Sequence, residues 1–106
     1  MKLTTVPGQA ADSRILKLEG PLTLSNLFDF QAELRKDAAT TILDLSDVPY
    51  MDSAGMGAII NYYVACQKGG RKLLVAGTNY RVMELFKLTK VDQLITLIES
   101  VEAAGE

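Results

Sequence analysis

The residues best placed to do chemistry in this chain are Asp52 and Ser53, within the run Tyr50-Met51-Asp52-Ser53-Ala54-Gly55-Met56-Gly57. A serine hydroxyl can attack a substrate when a base takes its proton, or can receive a phosphoryl group. The neighbouring carboxylate either positions that hydroxyl or simply complements a helix dipole. Histidine is absent from all 106 residues, so a Ser-His-Asp triad cannot form. Lys72 or Lys90 could stand in as a base in principle, but nothing in the spacing supports a Ser-Lys dyad. A metal would have to be held by carboxylates and the lone Cys66, with no suitable cluster in sight. No Gly-x4-Gly-Lys-Ser/Thr phosphate loop occurs. Gly55-Met56-Gly57 lacks the third glycine and the partner acid of a dinucleotide fingerprint. Most routes to catalysis are therefore closed, and the expectation is a chain with no catalytic residues, no metal and no cofactor.

The elements that must position Ser53 follow from hydrophobic periodicity. Residues 41–45 form a short apolar run that predicts a buried strand, and residues 53–68 predict a helix with no charge before Lys68. Ser53 then falls where an N-cap is expected, its hydroxyl accepting a first-turn N–H. Gly69-Gly70 ends this helix, with Lys68 and Arg71 complementing its negative pole. Gly55 and Gly57 each cost about 1 kcal/mol inside a helix relative to alanine, so each needs a reason: close packing or close approach by a partner. Met56, Ile59, Ile60 and Tyr63 make one stripe of this helix, and Ala54, Ala58, Asn61 and Ala65 make another; one of them must face a sheet.

Further strands are predicted at 3–6, 14–19, 72–76 and 94–98, and helices at 25–36, after Gly77-Thr78-Asn79, and at 100–104. Leu24, Leu27, Phe28 and Leu34 are the expected inner stripe of the first helix. Val82, Leu85, Phe86 and Thr89 are that of the third. Residues 37–40 read as a loop, and the Ala-Gly-Glu end is expected to fray. The predicted order is β-β-α-β-α-β-α-β-α. This is an α/β domain spanning 1–106, with a mixed, mostly parallel five-stranded sheet, about four helices and an antiparallel first pair. Tyr62, Tyr63 and Tyr80 are expected to be half-buried packing residues, and Cys66 a small buried hydrophobe.

Composition narrows the class. The net charge is −2 and no basic run exists, which argues against nucleic acid as a partner. No apolar run approaches the roughly 18–20 residues that span a bilayer, and no apolar leader follows Met1. A cytoplasmic location is expected, with weak support from the single cysteine.

A strand, then Asp52-Ser53-Ala54-Gly55-Met56-Gly57, then an uncharged helix, then Gly69-Gly70-Arg71-Lys72-Leu73-Leu74-Val75 resembles the STAS domain. More narrowly it is similar to bacterial anti-sigma factor antagonists, over essentially the whole chain. The resemblance implies that Ser53 is phosphorylated by a partner kinase that is also the anti-sigma factor. That kinase supplies ATP and magnesium. It further implies that the unphosphorylated chain binds the kinase and frees a sigma factor, that the phosphorylated chain lets go, and that a serine phosphatase resets it. Thr23, Asp52, Ser53, Ala54, Gly55, Met56 and Gly57 are the implied partner-binding residues. The family commonly shows Gly-x-Leu-Asp after its second strand; here Gly20-Pro21-Leu22-Thr23 replaces the acid with threonine. A second reading is a non-switching STAS module in a stress-signalling scaffold or a lipid-transport complex.

Overall fold

The computed structural model describes residues 1–36 and 38–104; Asp37, expected in a loop, and residues 105–106, expected to fray, lie outside them. Five strands form one sheet in sequence order: β1 (Lys2–Pro7), β2 (Ser13–Glu19), β3 (Thr40–Asp47), β4 (Lys72–Ala76) and β5 (Thr96–Ile98). β1 runs antiparallel to β2, and the remaining pairs are parallel. Three α-helices connect the parallel strands or lead into the last: α1 (Leu27–Leu34), α2 (Ser53–Gly69) and α3 (Tyr80–Leu88).

Each parallel step advances one strand in the same direction. Crossovers of one hand then place all three helices on one face of the sheet. Alternation along the strands matches this. Leu16, Leu18, Leu43, Leu45, Leu73 and Val75 point into one cluster with Phe30, Ile59 and Phe86. Their neighbours Ile15, Lys17, Asp44 and Leu74 face the other way and are only half-buried. A strand order without reversal also leaves no topological crevice at the sheet's carboxyl-end edge. That edge is therefore a surface rather than a cleft.

Several expectations are corrected. Among the described residues there are three α-helices, not four: residues 101–104 form a single 3-10 turn, consistent with the high nucleation cost of so short a helix. The first helix is preceded by a 3-10 turn at Leu24–Asn26 and starts at Leu27. Its buried residues are Phe30 and Leu34, while Leu24 and Phe28 point to solvent. The 3-10 turn at the start rotates the register, so a stripe counted from Leu24 at 3.6 residues per turn drifts off the core. Thr89 is exposed, bonding back to the Leu85 carbonyl oxygen at 2.8 Å after the helix has ended. The last strand starts at Thr96 rather than at Leu94, because a second 3-10 turn, Val91–Gln93, occupies the approach and leaves Leu94 exposed. Tyr80 is also exposed, at the start of α3, whereas Tyr62 is buried.

α2 buries both small and large residues: Gly55, Met56, Ala58, Ile59, Tyr62 and Cys66. It packs beside α1 as well as on the sheet, so neither predicted stripe alone faces inward. Arg14 lies across the bottom of this layer. Its guanidinium donates to the carbonyl oxygens of Glu33 (2.8 Å) and Leu34 (3.1 Å), to Thr41 Oγ1 (2.9 Å) and to the Tyr62 hydroxyl (3.0 Å). A cation there satisfies carbonyls at the end of α1 and complements the negative pole of that helix. It ties β2, β3, α1 and α2 together at the edge opposite Ser53.

Candidate functional site

Asp52, not Ser53, caps α2. The backbone of Asp52 is extended (φ −99°, ψ −177°), and its carboxylate Oδ1 accepts the Gly55 N–H at 2.9 Å. Ser53 is already the first helical residue, so its hydroxyl is not needed by the backbone. Acid and serine are both good caps; the residue with non-helical φ and ψ takes the role. Ser53 is exposed, and among the described residues none hydrogen-bonds its hydroxyl. The expected cap is thus a hydroxyl standing clear at the positive end of a 17-residue helix.

The loop before it is held from both sides. Leu22 and Met51 form a parallel β-bridge: the Leu22 N–H donates to the Tyr50 carbonyl and the Asp52 N–H donates back to the Leu22 carbonyl, each at 3.2 Å. The second Asp52 oxygen accepts the Leu24 N–H at 3.0 Å. One carboxylate therefore joins the start of α2 to the segment after β2. On the other flank Asn79 donates to the carbonyl oxygens of Val48 (3.1 Å) and Pro49 (3.0 Å) while its own oxygen caps α3 at Val82 (2.8 Å). Arg81 lies over the Tyr50 ring, 5.2 Å from its centroid. The N–H donors of Gly55 and then Leu24 hold the Asp52 carboxyl below its ordinary range. It is an anion at neutral pH, fixed beside Ser53.

The sequence-derived site residues separate into surface and support. Ser53 is exposed, and Thr23, Asp52, Ala54 and Gly57 are half-buried. Gly55 and Met56 are buried, so any effect they have on a partner is exerted from beneath. Gly55 packs against the segment after β2: a Cβ there would lie 2.5 Å from the Leu22 carbonyl oxygen. A Cβ on Gly57 would meet nothing within 4 Å. Thr23 sits between Leu22 and Leu24, both bonded to the 50–52 backbone or to Asp52. Its hydroxyl is 2.9 Å from that of Ser25, and its N–H donates to Asn26 Oδ1 at 2.9 Å. Lys72 opens β4, so it lies at the amino-end edge, away from Ser53; Lys90 follows α3 at that same edge. Neither stands beside Ser53 as a base.

Sequence reasoning missed Leu24, Asn26 and Asn79 as positioning residues. Asn79 was legible, because Asn one residue before a helix is a strong cap signal. The Leu24 N–H contact was not, since a backbone donor carries no residue-type signature. Cys66 is buried, and burial pushes its thiol up, away from the thiolate. A cavity of about 480 Å3 lies at the far end of α2, lined by Cys66, Arg71, Lys72 and Leu94 among others, remote from Ser53. Among the described residues no three His, Cys, Asp or Glu side chains group as a metal site. No described helix is long and apolar enough to cross a membrane.

The candidate site is thus an exposed serine at the start of the central helix of a one-faced ββαβαβαβ sheet. The STAS domain profile matches residues 3–104, and the chain belongs to the STAS domain family. Among curated relatives, it is 28% identical over 81 residues to the anti-sigma-B factor antagonist of Staphylococcus aureus, covering 76% of this chain and 75% of that protein. Among solved structures, the Thermotoga maritima protein TM1081 superposes with a TM-score of 0.88 at 23% identity, over 97% of this chain and 91% of that one. The Bacillus cell fate determinant SpoIIAA in its phosphorylated form superposes with a TM-score of 0.75 at 13% identity, over 98% and 97%. At those identities the two structures speak for the fold.

Proposed function

We propose that this chain is an anti-sigma factor antagonist that binds an anti-sigma factor serine kinase when Ser53 is unmodified and releases it when Ser53 is phosphorylated. The observation that carries this reading is the exposed Ser53 hydroxyl, uncommitted to capping, on a loop pinned from both flanks. The curated Staphylococcus aureus relative supports the antagonist role.

The switch follows from the site's electrostatics. The Ser53 oxygen attacks the γ-phosphorus of ATP held by the kinase. A Ser O–P bond forms, the β–γ bridge breaks, ADP leaves, and the hydroxyl proton goes to a base on the kinase. The phosphate adds about −1.5 to −2 charges beside ionised Asp52. α2 tolerates it, because orphan N–H groups and the helix dipole favour an anion at that end. The partner does not. A surface shaped around a small neutral hydroxyl, with nucleotide phosphates behind it, meets a bulky, like-charged and poorly solvated group. A serine phosphatase restores the hydroxyl by hydrolysis, releasing inorganic phosphate. Thr23, Asp52, Ala54 and Gly57 surround Ser53 in the contact surface, and Gly55 and Met56 support it from below.

The test is a pull-down with wild type and Ser53→Asp, bound proteins being identified by mass spectrometry. Wild type captures an ATP-binding serine kinase. Ser53→Asp loses it by an order of magnitude or more, with unchanged circular dichroism and melting temperature. Equal capture by both forms would instead fit a non-switching STAS module. Phosphopeptides mapped to Ser46 or Thr78 rather than Ser53 would overturn the site.

A further inference from the structure

The cavity of about 480 Å3 at the far end of α2 lies where two neighbouring strands start out of step. β4 begins at Lys72, but β5 begins only at Thr96, opposite Leu74. The delay has a local cause. The N–H groups of Leu94 and Ile95 both donate to the Val91 carbonyl oxygen, at 2.9 and 3.0 Å, so the chain is still turning where β4 is already extended. Leu73 is left with no residue of β5 opposite it. Along a strand, backbone donors alternate between its two neighbours. The Lys72 N–H donates to the Ala39 carbonyl oxygen on the β3 side at 2.8 Å, which turns the Leu73 N–H to the β5 side. Gly77, of the same parity, does reach β5, donating to the Ile98 carbonyl oxygen at 3.3 Å. At Leu73 that side is the cavity.

The cavity wall has an apolar part and a polar part. Tyr63, Leu73 and Leu94 supply the first, and Leu94 is 55% exposed. Gln67, Lys72 and Thr96 supply the second, and none of these three side chains has an ion pair or hydrogen bond among the described residues. Arg71 also lines the cavity but is engaged: its Nη2 donates to the Ala65 carbonyl oxygen at 2.9 Å. The Arg71 N–H donates to the Cys66 carbonyl oxygen at 2.8 Å, and the Gly70 N–H to that of Gln67 at 3.5 Å. These bonds cap α2, so the negative pole of the helix is largely answered from within the chain. No Asp or Glu lines the cavity; Asp92, two residues before Leu94, is the nearest acid in sequence.

We propose that this cavity binds a small organic anion with an apolar ring, its charge on Lys72 and the Leu73 N–H and its ring against Tyr63 and Leu94. The volume is that of small-molecule sites, which pair apolar walls with a few placed polar groups. A bare phosphate or sulfate leaves the apolar wall wet, and a neutral ring leaves the Lys72 ammonium unanswered. The site lies at the opposite end of α2 from Ser53 and stands whether or not Ser53 is a phosphoacceptor.

The probe is anilinonaphthalene sulfonate, which joins an aromatic body to one negative charge and fluoresces when desolvated. Titration into the folded chain at neutral pH gives saturable binding of one dye per chain. Lys72→Glu and Leu94→Asp, each at an exposed position, weaken it at least ten-fold and keep the wild-type melting temperature. Leu88→Ala, which trims a 78% exposed leucine that does not line the cavity, leaves it unchanged. Naphthol carries the ring without the charge, and inorganic phosphate the charge without the ring. Each displaces the dye at least ten-fold less well than naphthalene sulfonate. Heteronuclear NMR locates the site without any variant: the largest dye-induced amide shifts fall on Lys72, Leu73 and Thr96. The proposal is overturned if wild type shows no saturable binding, or if Lys72→Glu and Leu94→Asp bind like wild type. Shifts centred on the start of α2 overturn it as well. So does naphthol or phosphate competing as strongly as the sulfonate, since either result removes half of the recognition.

Discussion

Two glycines, two residues apart in one helix, should respond to the same substitution with opposite signs. A methyl group on Gly55 would sit 2.5 Å from the Leu22 carbonyl oxygen, 2.9 Å from Leu22 Cγ and 3.2 Å from the Leu22 carbonyl carbon. That oxygen cannot retreat freely, since it accepts the Asp52 N–H at 3.2 Å. Overpacking of this kind costs about 1–3 kcal/mol, against a gain of up to about 1 kcal/mol from replacing helical glycine by alanine. Gly55→Ala should therefore destabilise by roughly 1–2 kcal/mol. Gly57→Ala adds a methyl group to open space and should stabilise by about 0.4–1 kcal/mol through the unfolded chain's lost freedom. At about 4–8 °C per kcal/mol for a domain of this size, the two variants should differ in Tm by on the order of 10 °C. Urea unfolding followed by circular dichroism gives the free energies, provided the denaturant slope is the same in all three proteins. Pushing Leu22 away also loosens the segment that meets Asp52, so Gly55→Ala should slow Ser53 phosphorylation. A Gly55→Ala variant as stable as wild type, or a destabilised Gly57→Ala, would refute the packing argument.

Two further predictions test the electrostatics of the site. The Asp52 carboxyl is held low by N–H donors from Gly55 and Leu24. Its contribution is therefore complete above the unfolded carboxyl value of about 3.9 and is lost as pH falls through the lower folded value. The stability difference between wild type and Asp52→Asn should stay constant from neutral pH down to about 5 and shrink below that; a difference that widens on acidification contradicts the assignment. Thr23→Asp places a second carboxylate beside Asp52 on a half-buried turn. Stability should change by only about 0.5 kcal/mol, while kinase affinity or phosphorylation rate shifts measurably. Wild-type behaviour in both binding assays would remove Thr23 from the recognition surface.

Periodicity and punctuation alone determined most of the architecture. Apolar runs at 14–19, 41–45 and 72–76 and the glycines at 69–70 each act through neighbours in sequence, so a local reading finds them. The same holds for placing Ser53 at a strand-to-helix junction and, through the resemblance, for the family. Three things needed the folded chain. Whether Asp52 or Ser53 caps α2 depended on which residue leaves helical φ and ψ, and the bridge between Leu22 and Met51 joins that decision to a segment some thirty residues earlier. Gly55 and Gly57 look alike in sequence, yet only one has a backbone carbonyl against its Cα. Phe28 fits an inward stripe by spacing, but a 3-10 turn ahead of α1 rotates it to the surface. The first two turn on contacts from another part of the chain and the third on a 3-10 turn just ahead of the helix; helical periodicity carries no record of either.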